Sequence, residues 1–293
     1  MISGHTRKSI WFFVTPGLLL MTFLLAWPIA QGVMAAFREG SSQVGSSDGF
    51  VGLKNFEALL TNPAFWSSLK LAVSFTAVTT VIEMSIGLGV ALFLYFQKPM
   101  YRLVEVLLIL PMFVLPVVSG LTFRYIFDPG NGPFSEWFDK LGWEPISLLG
   151  DPFWAFWAIV FQDVWRMWPF VFLIIYGGLK AQSKVGQEAA KIDGASTSQI
   201  IYHVILPALK PTLIVACGLK ITESLKAFTE IYVMTGGGPG DSTTLLSIFV
   251  VKQAFHFFHV GEASASSIIL LLLGAGLAFS VTKYQNRPKS EVN

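Results

Sequence analysis

Apolar stretches long enough to cross a membrane recur six times along this chain, at residues 10–37, 69–96, 104–126, 153–179, 207–235 and 260–283. A helix needs about 20 mostly apolar residues to cross the hydrocarbon core, where each backbone N–H and C=O must find its partner inside the protein. The expected fold class is therefore all-α, a polytopic membrane protein with six transmembrane helices forming one domain over residues 1–293. Composition agrees. Asp, Glu, Lys and Arg make up 13% of the chain, against roughly 25% in soluble domains, which excludes a soluble globular enzyme. The formal net charge of +2 points to no nucleic-acid partner. Arg7 and Lys8 precede the first stretch as they would a signal peptide, but a signal's apolar core runs only about 7–15 residues, so this stretch reads as a span.

Lys and Arg in short loops set orientation. With the N-terminus inside, the inner segments hold Arg7, Lys8, Lys98, Arg102, Lys180, Lys184, Lys191, Lys283, Arg287 and Lys289, and the outer ones only Arg38, Lys54, Lys70, Lys140 and Lys252. Both termini are expected in the cytoplasm. The outer segment 127–152 fits, with Asp128, Glu136, Asp139, Glu144 and Asp151 against Lys140 alone. Trp11, Trp66, Trp137, Trp143, Trp154 and Trp168 fall near span ends, where amphipathic rings favour the interface. Pro111, Pro116, Pro169 and Pro211 mark kinks or broken turns. Residues 40–49, rich in Ser and Gly, read as a flexible outer loop, and the spaced apolar residues Leu53, Phe56, Leu59, Leu60, Phe65 and Trp66 as a helix on the outer surface.

The inner loop 180–206 is too long and too patterned for a simple turn. Glu188 to Asp193 reads as a short helix that Gly194 stops by taking a left-handed conformation, and Ser196 or Thr197 caps a second helix running toward Pro207. Ala189, Ala190, Gly194 and Ala195 present small side chains that let another protein approach closely.

Glu188-Ala189-Ala190, Asp193-Gly194-Ala195 and Ile205-Leu206-Pro207 at this spacing resemble the signature loop of permease subunits of binding-protein-dependent ABC importers. Phe50-Val51-Gly52-Leu53-Lys54-Asn55-Phe56, Phe127-Asp128-Pro129-Gly130-Asn131-Gly132 and Ile231-Tyr232-Val233-Met234-Thr235-Gly236-Gly237-Gly238-Pro239 are similar to the carbohydrate-uptake branch, on the side of the maltose permease F and glycerol-phosphate permease A subunits. The resemblance implies a type I ABC importer permease fold in the bacterial cytoplasmic (inner) membrane. It also implies a non-catalytic subunit that moves a sugar or sugar-like solute inward by alternating access. It assigns Glu188, Ala189, Ala190, Asp193, Gly194, Ala195, Leu206 and Pro207 to ATPase coupling. The implied partners are a second permease subunit of the maltose G type, two cytoplasmic ATPases and an extracytoplasmic solute-binding protein. The chain itself needs no cofactor, because the ATPases hold ATP and magnesium, and no Gly-x-x-x-x-Gly-Lys-Ser/Thr occurs here.

Ionisable residues at membrane depth cost roughly 2.5–3.5 kcal/mol each on insertion scales and turn toward the bundle interior or a water-filled cavity. On one continuous fifth helix Lys220, Glu223, Lys226 and Glu230 share an arc, and on the fourth Gln162 and Arg166 share a face. Gln162, Arg166, Glu223, Lys226 and Glu230 are thus the candidate lining of a solute path. The competing reading is structural: Glu223 pairs with Lys220 or Lys226, and Asp163 with Arg166, at helical spacings of three. Arg124, Arg166, Lys220 and Lys226 balance Glu83, Asp163, Glu223 and Glu230, a mixture suited to a neutral, hydroxyl-rich solute, and Trp165 offers a face for a sugar ring. Thr235, Gly236, Gly237, Gly238 and Pro239 form a candidate outer gating loop, since consecutive glycines open backbone conformations closed to other residues. The alternative function is a self-sufficient secondary transporter or channel, which would have no need of the 188–207 pattern.

Overall fold

The computed structural model describes residues 4–39, 49–97, 102–142 and 147–285. The Ser/Gly tract at 40–48, Lys98, Trp143, Glu144, Arg287 and Lys289 lie outside them. Among the described residues the fold is helical, its nearest approach to a strand being one antiparallel bridge between Arg38 and Phe50. Among the described residues five helices are long and apolar enough to span a membrane, and a bent pair supplies a sixth crossing if it counts as one. The chain divides into two compact units, residues 1–65 with 249–269, and residues 66–248 with 270–293.

The first unit begins with α1 (Gly4–Ala36), apolar over Val14–Ala36 and exposed along nearly all of that length. The end of α1 leaves carbonyls without intrahelical donors. Asn55 Nδ2 meets two acceptors there, Ala36 O at 2.9 Å and Arg38 O at 2.8 Å. Asn55 belongs to α2 (Lys54–Thr61), the short helix expected on the surface, which buries Leu59 and leaves Leu60 exposed, as is Leu53 just before it. Phe37 packs on Phe50 and Phe56.

α3 (Pro63–Tyr95) starts at Pro63 rather than Leu69, because proline suits the first helical position and Asn62 Oδ1 accepts the Ala64 N–H at 3.0 Å. The expected third span is broken. α4 (Arg102–Ile109) runs into a 3₁₀ turn (Leu110–Phe113), and α5 (Pro116–Ile126) leaves at 90°. Pro116 forces the residue before it out of the helical region, and Leu115 is extended at φ −57°, ψ 137°. After α6 (Pro133–Lys140) comes the most enclosed span, α7 (Pro152–Ala181), whose N-cap Asp151 accepts from Phe153 and Trp154 N–H.

The fifth span differs most from expectation. α8 (Val185–Ile192) and α9 (Thr197–Ile200) form the two-helix element, and α9 continues through a π turn (Ile201–Ile205) into α10 (Leu206–Leu225). The helix therefore passes Pro207 without stopping, the wide turn relieving the clash of the proline ring with the carbonyl four residues back. It then ends at Leu225, and α11 (Thr229–Thr235) follows separately. α12 (Leu246–Val251), a second π turn (Lys252–His256) and α13 (Val260–Gln285) complete the chain. In the second unit an apolar core joins α3 (Ala91, Leu94), α7 (Phe172, Ile175, Leu179) and the α9–α10 helix (Ile200, Ile205, Leu209).

Candidate functional site

The loop 180–206 is built as its sequence suggests. Gly194 sits at φ +82°, a conformation that penalises any residue with a Cβ. Ser196 caps α9 in a reciprocal box: Ser196 N–H donates to Gln199 Oε1 at 2.8 Å and Gln199 N–H to Ser196 Oγ. Glu188, Ala189, Asp193 and Gly194 are exposed, while Ala190 and Ala195 are half-buried against the core. Leu206 and Pro207 lie inside the continuous helix rather than at the start of one. Val185 and Ile192 expose 73% and 86% of their surface on α8. Gln187 turns inward to Tyr95, at 3.0 Å. A cavity of about 300 Å³ lies beside this pair, lined by Tyr95, Phe96, Lys184, Gln187, Glu188 and Lys191.

At mid-bundle the charges pair differently from the spacing rule. Lys220 Nζ lies 2.8 Å from Glu83 Oε1 and 2.8 Å from Asp163 Oδ2, with the three side chains 1%, 0% and 3% exposed. Asp163 thus serves Lys220, and Arg166 instead holds Glu230 at 2.9 Å. Gln162 Nε2 donates to Ser119 Oγ at 2.7 Å, and Thr79 and Ser224 hydroxyls meet at 3.3 Å. Glu223 and Lys226 pair with each other at 3.2 Å and stay exposed. The single arc expected for residues 220–230 is therefore not formed. The break after Leu225 resets the helical phase, so Glu230 faces α7 while Glu223 and Lys226 face outward. Gln162, Arg166 and Glu230 do come together where α5, α7 and α11 meet, and Gln162 Oε1 and Arg166 Nε are buried there without hydrogen-bond partners. Arg124 donates to the Val233 carbonyl at 3.2 Å, and Trp165 packs on Phe123.

The glycine run after α11 is a knitted hook. Gly236 and Gly237 are left-handed at φ +63° and +91°. Thr243 Oγ1 donates to Gly238 O and lies 2.7 Å from Thr235 Oγ1, and Thr244 Oγ1 donates to Gly237 O. Sequence reading missed Thr243, Thr244 and Ser247, whose hydroxyl takes the Ala227 carbonyl at the break; a hydroxyl cluster following glycines was the available signal. It also missed that Glu105 receives the Tyr176 hydroxyl and Lys180, joining α4 to α7.

The comparisons extend this geometry to a family. Residues 83–288 match the family described as binding-protein-dependent transport system inner membrane component. The trehalose/maltose transport system permease protein MalF of Thermococcus litoralis is 37% identical over 223 residues, 76% of this chain and 74% of that protein. The sulfoquinovosyl glycerol transport system permease protein SmoG of Agrobacterium fabrum is 31% identical, over 89% and 84% of the two chains. Among solved structures, a bacterial alginate ABC transporter in complex with its pentasaccharide-bound periplasmic protein superposes with a TM-score of 0.82 at 16% identity, over 96% of each chain. That likeness shows the fold of a type I importer permease. The chain belongs to the family of binding-protein-dependent transport system inner membrane components, and is a transport subunit of an ABC importer rather than an enzyme.

Proposed function

We propose that this chain forms one half of an ATP-driven gate for a sugar or sugar-like solute. The observation that carries the reading is the two-helix element: Val185 and Ile192 offer an apolar face, Glu188 a carboxylate, and Gly194 the bend that sets one helix against the next. An apolar ridge flanked by charge is the shape that enters a groove on a partner protein. The partner is one of two cytoplasmic ATPases, which hold ATP and magnesium, and a second permease subunit of the maltose G type completes the gate. The relatives named for trehalose, maltose and sulfoquinovosyl glycerol support a carbohydrate solute. An extracytoplasmic binding protein delivers it, with Thr235 to Pro239 in the loop that meets it. Both termini and loop 180–206 face the cytoplasm.

Gln162, Arg166 and Glu230 stand on the solute route. Arg166 and Glu230 close on each other in this structure; when their helices part, a guanidinium, an amide and a carboxylate become donors and acceptors for solute hydroxyls. Glu223 and Lys226 flank the break from which α11 would move. The test is reconstitution with ATPase, second permease and binding protein, using maltose, trehalose and glycerol 3-phosphate as probes. Glu188→Lys and Gly194→Val should abolish binding-protein-stimulated ATP hydrolysis while the complex still purifies. Wild-type hydrolysis in both variants, or ATP-independent uptake by this chain alone, would sink the reading.

A further inference from the structure

The helix that leaves the two-helix element does not stop at the membrane surface. From Thr197 to Leu225 it is continuous, which at 1.5 Å per residue is about 43 Å. It is gripped twice. Near the loop the grip is apolar, with Ile200, Ile205 and Leu209 against Ile175 and Leu179. Roughly 17 Å beyond Leu209, Lys220 extends its ammonium between Glu83 of α3 and Asp163 of α7, 2.8 Å from each.

An apolar contact between helices slides at small cost, because one methyl group replaces another. An ammonium held by two carboxylates does not, since a slip strands a charge in a low-dielectric interior. Replacing such a group by well-packed hydrophobic residues of similar volume is often harmless to stability, so stability alone gives no reason for the charges. The charges define one register of α10 against its neighbours.

We propose that Lys220, with Glu83 and Asp163, is a positioning device for coupling: it pins α10 to α3 and α7, so that displacement of the two-helix element reaches mid-membrane as movement of three helices together. The inference rests on the proposed coupling role of that element. α11 lies beyond the pin and beyond the break, packed on α5 at Gly120 and joined to α7 through Arg166–Glu230, so that opening this bond releases it from α7 while it stays with α5.

The experiment uses the assembled transporter in proteoliposomes. Lys220→Met alone leaves two facing carboxylates and should fail to assemble. The informative variant is Glu83→Gln/Asp163→Asn/Lys220→Met, which strands no charge. It should purify in wild-type yield and hydrolyse ATP, yet move about tenfold less solute per ATP, an effect within the range produced by mutation of coupling networks. Equal solute per ATP in wild type and variant would overturn the proposal. A second measurement stands even if the variant does not assemble. Spin labels at the exposed positions Val81, Phe161 and Leu219, one on each pinned helix, should keep their mutual distances when ATP is added to the otherwise wild-type complex. Distances that change on ATP addition would overturn the pin. If instead the distances hold but the binding protein fails to stimulate hydrolysis by the wild-type complex, it is the coupling assignment that falls, and the proposed role of the pin falls with it.

Discussion

Arg166 and Glu230 face each other across 2.9 Å with side chains 11% and 6% exposed. Truncating one member leaves the other charged and unpaired, a loss of roughly 3–5 kcal/mol. Arg166→Ala or Glu230→Ala is therefore expected to lower the yield of assembled transporter, whereas Arg166→Met/Glu230→Gln should restore it. Uptake by the restored double variant then reads the solute route without interference from assembly, and wild-type uptake would remove the pair from that route. The pairing was only partly legible in the sequence. That ionisable residues at this depth must find partners followed from the cost of burial, and Glu223–Lys226 obeys its spacing of three. Asp163 and Arg166 have the same spacing and ignore each other, because α10 brings a lysine and α11 a carboxylate closer than either can reach along its own helix. Spacing ranks the partners available on one helix and is silent about those on others.

Elements were legible to the degree that their ends carry local chemistry. Gly194, Ser196 and Gln199 fix the two-helix bend with residues adjacent in sequence, and Pro111 and Pro116 mark the break in the third span. The break at Lys226 has no such mark: Leu225-Lys226-Ala227-Phe228 contains neither proline nor glycine. What holds it is tertiary, with Ser247 on the freed Ala227 carbonyl and α11 packed on α5 at Gly120. A Cβ at Gly120 would stand 2.6 Å from the Glu230 backbone oxygen. Backbone cannot rotate away as a side chain can, so α11 would have to retreat. Gly120→Ala is expected to destabilise the complex by about 1–3 kcal/mol, the usual range for overpacking, seen as a lower thermal midpoint in detergent. Gly89→Ala is the control, with nothing within 4 Å of the added carbon. An unchanged midpoint for Gly120→Ala would show that α11 is not seated as described.

For the whole molecule, everything turns on whether the bent α4–α5 pair crosses the membrane. If it crosses, the chain makes six passages, and the loop after α7 lies on the same side as the N-terminus. If the pair instead re-enters on the side it came from, five passages remain, α7 runs the other way, and Glu188 stands outside, away from any ATPase. The basic residues argue for crossing: Lys180, Lys184 and Lys191 follow α7, whereas Asp128, Glu136, Asp139 and Asp151 precede it, the asymmetry expected when the former face the cytoplasm. Single cysteines in a Cys217→Ala background decide between the two. Ser46 and Ser290 lie outside the described residues, but their sides follow from the count alone. With six passages Ser46 should react with a membrane-impermeant thiol reagent from outside, and Ser198 and Ser290 only after the membrane is opened. With a re-entrant pair all three would react from outside, and Ser198 is the telling position, because its exposure to the outer medium would remove the proposed coupling loop and the proposed Lys220 pin from the path of ATP-driven movement together.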